Sequence, residues 1–202
     1  IVMKKIVSGF LFVNTMFLSV TAMRLYWFVI PCRLEVDCRG YGVDTEWLKQ
    51  WERQEEKEGE GILAMAGWQE GVRTEIVAVS TRRKEQAKIL RVYGSMEQVF
   101  SADLLSGSCG LVGREDVCVL SQDLAEALFG SMEVVGEQVQ SDGELLEVAG
   151  VLAQEGEYLL VLMTEGEVER IAVLFERRFQ AKERMQERFP FFDSDKQGKK
   201  NN

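Results

Sequence analysis

Two kinds of hydrophobic spacing follow one another in the middle of the chain and predict a strand, a helix and two further strands. The β-branched run that begins at Asp116 ends at Ser121, a residue type that favours helix N-caps. Apolar residues then recur at helical spacing over residues 122–129 and stop before Gly130, a common helix C-cap. A short strand and a Ser-Asp-Gly turn follow, and apolar and polar residues then alternate over residues 145–152. This order predicts a compact strand–helix–hairpin unit.

The predicted helix has a clear apolar face. Leu124 and Leu128 are four residues apart, so they lie one above the other on the helix surface. The neighbouring predicted strands offer apolar side chains at Val117, Val119 and Val148. We therefore expect the two leucines to be buried against these three valines.

Similar patterns predict the rest of a domain over residues 32–190. Trp47 and Trp51 lie four residues apart and share a helix face, which we expect to pack onto a sheet; a platform for a ligand is the alternative. The region contains no linker, repeat or low-complexity segment, so its length predicts one medium domain or two small lobes in one chain. Helices are expected over residues 44–51, 96–100 and 177–189, and strands over residues 32–37, 62–68, 75–81, 87–93, 158–163 and 169–175. The order fits an α+β fold with helices on one side of mixed sheets.

A long apolar run precedes this domain. The residues from Ile6 to Met23 carry no charge, and after Arg24 the apolar run continues from Leu25 to Ile30. About 20 apolar residues in a helix cross the hydrocarbon core of a membrane. We therefore predict a cytoplasmic stub and one transmembrane helix within residues 1–31, with the span at about residues 6–30.

Charge predicts the orientation of that helix. After Pro31 the chain carries 33 acidic and 21 basic residues, a net charge of −12, whereas Lys4 and Lys5 precede the apolar run. Because basic residues beside a span stay in the cytoplasm, the main domain should be extracytoplasmic. A cleaved signal peptide ending near Ala22 is the alternative, and it also places the domain outside. Residues 191–202 are expected to form a polar, disordered tail.

Residues 116–152 resemble the signature of MacB-like periplasmic core domains of ABC-transporter permeases. In that family a strand leads into a helix that closes on Leu-Phe-Gly, which matches residues 128–130. A Val-Gly turn follows, as at residues 135–136, and the last strand ends near Val-x-Gly-Val, as at residues 148–151. Upstream, Val92-Tyr93-Gly94 and the Leu-Leu-Ser-Gly segment at residues 104–107 resemble two segments that precede this signature in the family.

The resemblance implies a non-enzymatic role. Domains of this family pass the ATP-driven motion of membrane spans to substrates or partners outside the cytoplasm. The implied partners are the membrane, a separate ATP-binding cassette ATPase and further permease spans, although no second long apolar run follows in this chain. We therefore expect a single-pass protein of the cell membrane, part of a truncated or split permease. The alternative is an anchored or secreted extracellular binding or sensing module unrelated to transport.

The residue types present exclude several kinds of chemistry. The chain has no histidine, which removes Ser-His-Asp and Cys-His catalysis as well as histidine metal sites. No glycine-rich phosphate loop occurs, and the acidic balance argues against binding to nucleic acid. Glutamates such as Glu52 and Glu55 are interpreted as a solvated helix face. We predict no catalytic residue, no cofactor and no metal site.

The four cysteines suggest a disulfide bridge between two of them. If Gly113 and Arg114 form a tight turn, Cys109 and Cys118 face each other across a two-strand ladder. Disulfides are allowed outside the cytoplasm, so this pair is a candidate bridge. A four-thiol metal site is the alternative, but the cysteine spacings lack a Cys-x-x-Cys element.

Overall fold

Nine strands and four helices form the described part of this computed structural model, which covers residues 30–59, 61–109 and 114–192. The strands are β1 (Cys32–Asp37), β2 (Ile62–Ala78), β3 (Lys84–Gly94), β4 (Leu104–Gly107), β5 (Val117–Ser121), β6 (Gln138–Ser141), β7 (Glu144–Leu152), β8 (Tyr158–Leu162) and β9 (Arg170–Phe175). The helices are α1 (Thr45–Glu58), α2 (Glu97–Phe100), α3 (Gln122–Phe129) and α4 (Arg178–Arg188). The predicted sheet-rich α+β class is confirmed.

The predicted span over residues 6–30 and the predicted tail lie almost wholly outside the described residues. Within those residues, no helix is long and apolar enough to cross a membrane. The described residues divide into two compact units, one within residues 35–174 and one that joins residues 30–34 with residues 175–192.

Six strands of the larger unit close into a ring. The sheet order is β1-β9-β2-β3-β8-β5-β7-β4, and β6 pairs with both β2 and β7. Hydrogen-bonded neighbours therefore run from β2 through β3, β8, β5, β7 and β6 back to β2. The β3–β8 and β5–β7 pairs are parallel and the other four pairs of the ring are antiparallel, so the sheet is mixed as predicted. Closure of the ring provides hydrogen-bond partners for backbone groups that would otherwise lie at open strand edges.

Strand β2 is one long strand where the sequence predicts two. The prediction breaks at the polar segment around Gly71, which has the composition of a turn. In the structure a β-bulge between Glu70 and Arg73 absorbs the extra residues, and β3 pairs with β2 on both sides of it. Val72 at the bulge is 78% exposed. A bulge keeps the ladder running where sequence composition alone indicates a loop.

The sheet carries a hydrophobic cluster on each of its faces. All five residues of β5 are buried, and successive side chains alternate between the two clusters. Leu124 and Leu128 of α3 are fully buried with Val148, as predicted. Their β5 neighbours in that cluster are Cys118 and Leu120, whereas Val117 and Val119 belong to the other cluster. The predicted packing of α3 on Val117 and Val119 is therefore wrong, because α3 covers the opposite face of β5.

Helix α3 is held at both ends. Ser121 caps its N-terminus, since its hydroxyl accepts a hydrogen bond from the Leu124 amide at 3.4 Å. The same hydroxyl accepts from the Tyr158 amide at 3.0 Å and donates to the Gly156 carbonyl at 2.6 Å. At the other end Gly130 adopts the left-handed conformation, with φ of 73°, and Thr81 donates to the Leu128 carbonyl at 2.6 Å. Both predicted caps are confirmed.

The smaller unit holds the first and the last described segments of the chain. Its helix α4 buries Ala181 and Met185, which are four residues apart on one face. Phe189 directly after α4 is also buried, and its ring centroid lies 5.6 Å from that of Phe191. The predicted helix over residues 177–189 is therefore confirmed.

Candidate binding groove

The two cysteines of the disulfide hypothesis lie in different hydrophobic clusters of the core. Residues 110–113, which would form the predicted turn between them, lie outside the described residues. Cys118 on β5 is paired in register with Val148 and Val161, and Cys109 lies in the other hydrophobic cluster. Both are free thiols, and burial raises the pKa of each to about 12. They therefore serve as small apolar side chains of the core.

A groove of about 610 Å³ lies between the C-terminal half of α1 and the beginning of β2. This volume is within the range of sites that hold ligands. Its described lining residues are Glu52, Glu55, Gly59, Gly61, Ile62, Leu63, Ala64 and Met65. One wall is therefore acidic and the other is apolar.

The acidic wall follows from the way α1 is built. Asp44 caps the helix by accepting a hydrogen bond from the Trp47 amide at 2.8 Å. Leu48 and Trp51 are buried, and the Trp47 and Trp51 rings meet edge to face at 5.4 Å, in line with the predicted packing face. Because Glu52 lies four residues after the buried Leu48, it is on the same side of the helix, and its carboxylate projects beside the buried face.

Tyr93 fixes the carboxylate of Glu52. The hydroxyl of Tyr93 on β3 donates a hydrogen bond to Oε2 of Glu52 on α1 at 2.5 Å. Burial, and then this hydrogen bond, raise the pKa of Tyr93 above its ordinary value, so the phenol stays protonated and remains a donor. The oxygens of a carboxylate offer about four acceptor positions, so Glu52 keeps acceptor capacity for a ligand.

The apolar wall is a sheet segment that a close backbone approach holds in place. Leu63 is 55% exposed although it lies within β2, whereas Met65 is buried. The Ser95 amide donates to the Met65 carbonyl at 2.8 Å. A Cβ atom at Gly94 would lie 2.4 Å from that same carbonyl oxygen, and Gly94 has a φ of 82°. Glycine is therefore required where β3 passes this wall.

A second group of charged side chains in the larger unit forms ion pairs with one another and does not line the groove. The Glu70 carboxylate binds Lys88 and lies 3.6 Å from Arg170, which reaches Glu35 at 3.4 Å. The hydrogen bond from Lys88, followed by the charges of Arg170 and Lys88, lowers the pKa of Glu70 despite partial burial. Among the described residues, no group of three or more Cys, Asp or Glu side chains could hold a metal ion.

The groove is the feature that sequence reasoning missed. Glu52 and Glu55 were expected on a solvated face, and the structure places both in the wall of the groove. Spacing along α1 shows only that they are neighbours on the helix. The contact with Tyr93 joins segments far apart in the chain, and no pattern in the sequence reports it.

Comparison with known proteins shows what the domain is similar to. The family model of the MacB-like periplasmic core domain matches residues 31–186. The periplasmic region of MacB from Actinobacillus actinomycetemcomitans has a similar structure, with a TM-score of 0.62 and 14% identity over 88% of this chain and 96% of that chain. The extracellular domain of the ABC-type transporter YknZ from Gram-positive bacteria gives a TM-score of 0.49 and 17% identity over 63% of this chain and 72% of that chain. A search of curated proteins gives no match.

Proposed function

The chain belongs to the family of MacB-like periplasmic core domains, and from this premise we propose that it is the extracytoplasmic part of a membrane-anchored, ABC-transporter permease-like protein. In this role it binds a partner or substrate and passes motion between that partner and the membrane spans, without catalysing a reaction. The observation that carries the proposal is the extent of the family match, residues 31–186, which includes nearly all of the described residues. The similarity to the MacB periplasmic region, which extends over 96% of that chain, supports the same fold for the whole domain.

The arrangement of the chain ends supports a coupling role. The described segments that precede residue 35 and follow residue 174 belong to one compact unit. A domain that receives motion from the membrane needs its connections to enter a structured unit, so that displacement is transmitted through packed elements. Buried residues such as Met185 and Phe189 give the returning segment such a structure.

The chemistry of the described residues supports a non-catalytic role. The chain has no histidine, and its described residues hold no candidate metal cluster. The buried thiols of Cys109 and Cys118 have raised pKa values, so they are protonated at neutral pH and are poor nucleophiles. The sequence has no glycine-rich phosphate-binding loop, so energy for motion would come from a separate ATP-binding cassette ATPase.

Co-purification tests this proposal. The tagged full-length chain, extracted in mild detergent from membranes of its native host, should bring down an ATP-binding cassette subunit and ATP hydrolysis. A single-span membrane protein with the same tag is the control, and the chain purified alone should not hydrolyse ATP. Turnover by the chain alone would contradict the non-catalytic role. Absence of any ATPase subunit would favour an anchored binding module without a link to transport.

A further inference from the structure

The groove between α1 and β2 has features that select a class of ligand. Its two charged lining residues among those described, Glu52 and Glu55, are both acidic. They are three residues apart on α1, so their side chains are neighbours on the helix surface. The groove is also lined by Leu63 of β2, whose half-exposed side chain provides an apolar surface. A ligand that fits must be cationic at one end and apolar along its length.

Lysine and arginine side chains have this composition. Their alkyl stems pack along apolar surface while the charged end reaches polar partners. A hydrogen bond between a cationic group and a carboxylate is stronger than a neutral one, and partial removal from water strengthens it further. Tyr93 holds the Glu52 carboxylate in position before a ligand arrives. The Glu52 side chain therefore loses less conformational entropy when the ligand binds.

We propose that this groove binds a lysine- or arginine-bearing segment of a partner protein, with the alkyl stem against Leu63 and the cationic end between Glu52 and Glu55. The inference rests on the binding role proposed above and names the chemistry of the partner. A second copy of this chain fits less well, because the residues after Pro31 carry a net charge of −12 and would repel an acidic wall. A bare metal ion fits less well too, since the groove offers two carboxylates and no third acidic, cysteine or histidine ligand among its described lining residues.

Fluorescence anisotropy tests the inference directly. The probe is a labelled hexapeptide of alternating leucine and lysine, and the full-length chain is held in nanodiscs of phosphatidylcholine, which has no net charge. We expect saturable binding that weakens as salt rises. The same peptide with acetylated lysines, which keeps the length and loses the charge, should bind at least about tenfold more weakly.

Variants of the chain separate the groove from general acidity. Glu52→Gln combined with Glu55→Gln should weaken binding of the lysine peptide by at least about tenfold. The matched control is Glu115→Gln with Glu133→Gln, which removes two exposed charges elsewhere and should leave affinity unchanged. Leu63→Ser should weaken peptide binding while leaving the weak binding of hexaamminecobalt(III), a cation without an alkyl stem, unaffected. Circular dichroism melting verifies that each variant is folded, and the single change Glu52→Gln replaces the pair if the double variant is not.

Several outcomes would overturn the inference. They are equal affinity for the acetylated peptide, equal weakening by the control pair, hexaamminecobalt(III) binding as tight as that of the peptide, or no saturable binding. Dimerisation of the chain that is lost in Glu52→Gln with Glu55→Gln would assign the groove to a second copy instead. Failure here is distinguishable from failure of the proposed function, because the ATPase subunit would still co-purify with the chain that carries the groove substitutions.

Discussion

Two ion pairs between β2 and β3 differ in how far their side chains are exposed to solvent. The Glu70–Lys88 pair of β2 and β3 is about two-thirds buried and also contacts Arg170, whereas the Glu75–Lys84 pair is at least half exposed. Exposed pairs contribute little to stability because water and salt screen them. The Glu70 carboxylate is partly buried and has two cationic partners, so its ionised form is stabilised more strongly. The pKa of Glu70 is lowered for this reason.

Acid titration tests this difference at Glu70. Because the folded-state pKa lies below the ordinary value of 4.5, Glu70 stabilises the fold fully above about pH 5, and this contribution is lost as the pH falls through the lowered pKa. Glu70→Gln should therefore lower the free energy of unfolding at pH 7 and leave it closer to that of the wild type near pH 2. Urea unfolding at a series of pH values measures this. Glu75→Gln is the control and should follow the wild-type profile; equal profiles for both variants would contradict the assignment.

At the scale of elements, α3 connects local sequence signals with long-range packing. Ser121 and Gly130 define its ends through local hydrogen bonds, and both positions can be identified from the sequence. The helix contacts β2, β3, β5 and β7, strands that are widely separated along the chain. Its leucines thereby help to join the strands of the closed ring.

Leu128→Ala tests the role of α3. Leu128 is fully buried, so its truncation should lower the free energy of unfolding by about 2–5 kcal/mol, through lost apolar contact and the cavity left behind. Leu145→Ala is a matched control, because Leu145 is 52% exposed and its truncation should cost less than about 0.5 kcal/mol. Chemical denaturation of the full-length chain in detergent measures both values. An unchanged transition for Leu128→Ala would remove the packing argument.

At the scale of the whole molecule, the charge distribution predicts where the domain lies. The acidic residues all follow Pro31, and Lys4 and Lys5 precede the apolar run. The positive-inside rule then puts the domain outside the cytoplasm.

Cysteine labelling of intact cells tests this topology. Glu144 is exposed on the β6–β7 hairpin, so Glu144→Cys with Cys32→Ser offers one accessible thiol, since Cys38, Cys109 and Cys118 are buried. A membrane-impermeant maleimide should label this variant on intact cells. The Cys32→Ser chain is the control and should stay unlabelled. Labelling that requires lysis would reverse the orientation.

Local signals determined the positions of most elements in this protein. Caps at Ser121 and Gly130 fixed α3, and alternation or β-branched runs located β5, β7, β8 and β9, because hydrogen bonding and side-chain direction repeat within a few residues. The family could be identified from the order of these same elements, and the family match bears this out.

Tertiary structure decided which faces meet. The sequence alternates along β5 but cannot say which side α3 covers, so the packing of Leu128 on Cys118 and Leu120 and not on Val119 emerged only from the fold. Strand β7 lies between β4 and β5, and the bulge after Glu70 kept β2 in one piece. The groove depends on a hydrogen bond between Glu52 and Tyr93, two residues far apart in the chain. Such contacts depend on the closing of the whole sheet, whereas sequence patterns report only the order of neighbours within one element.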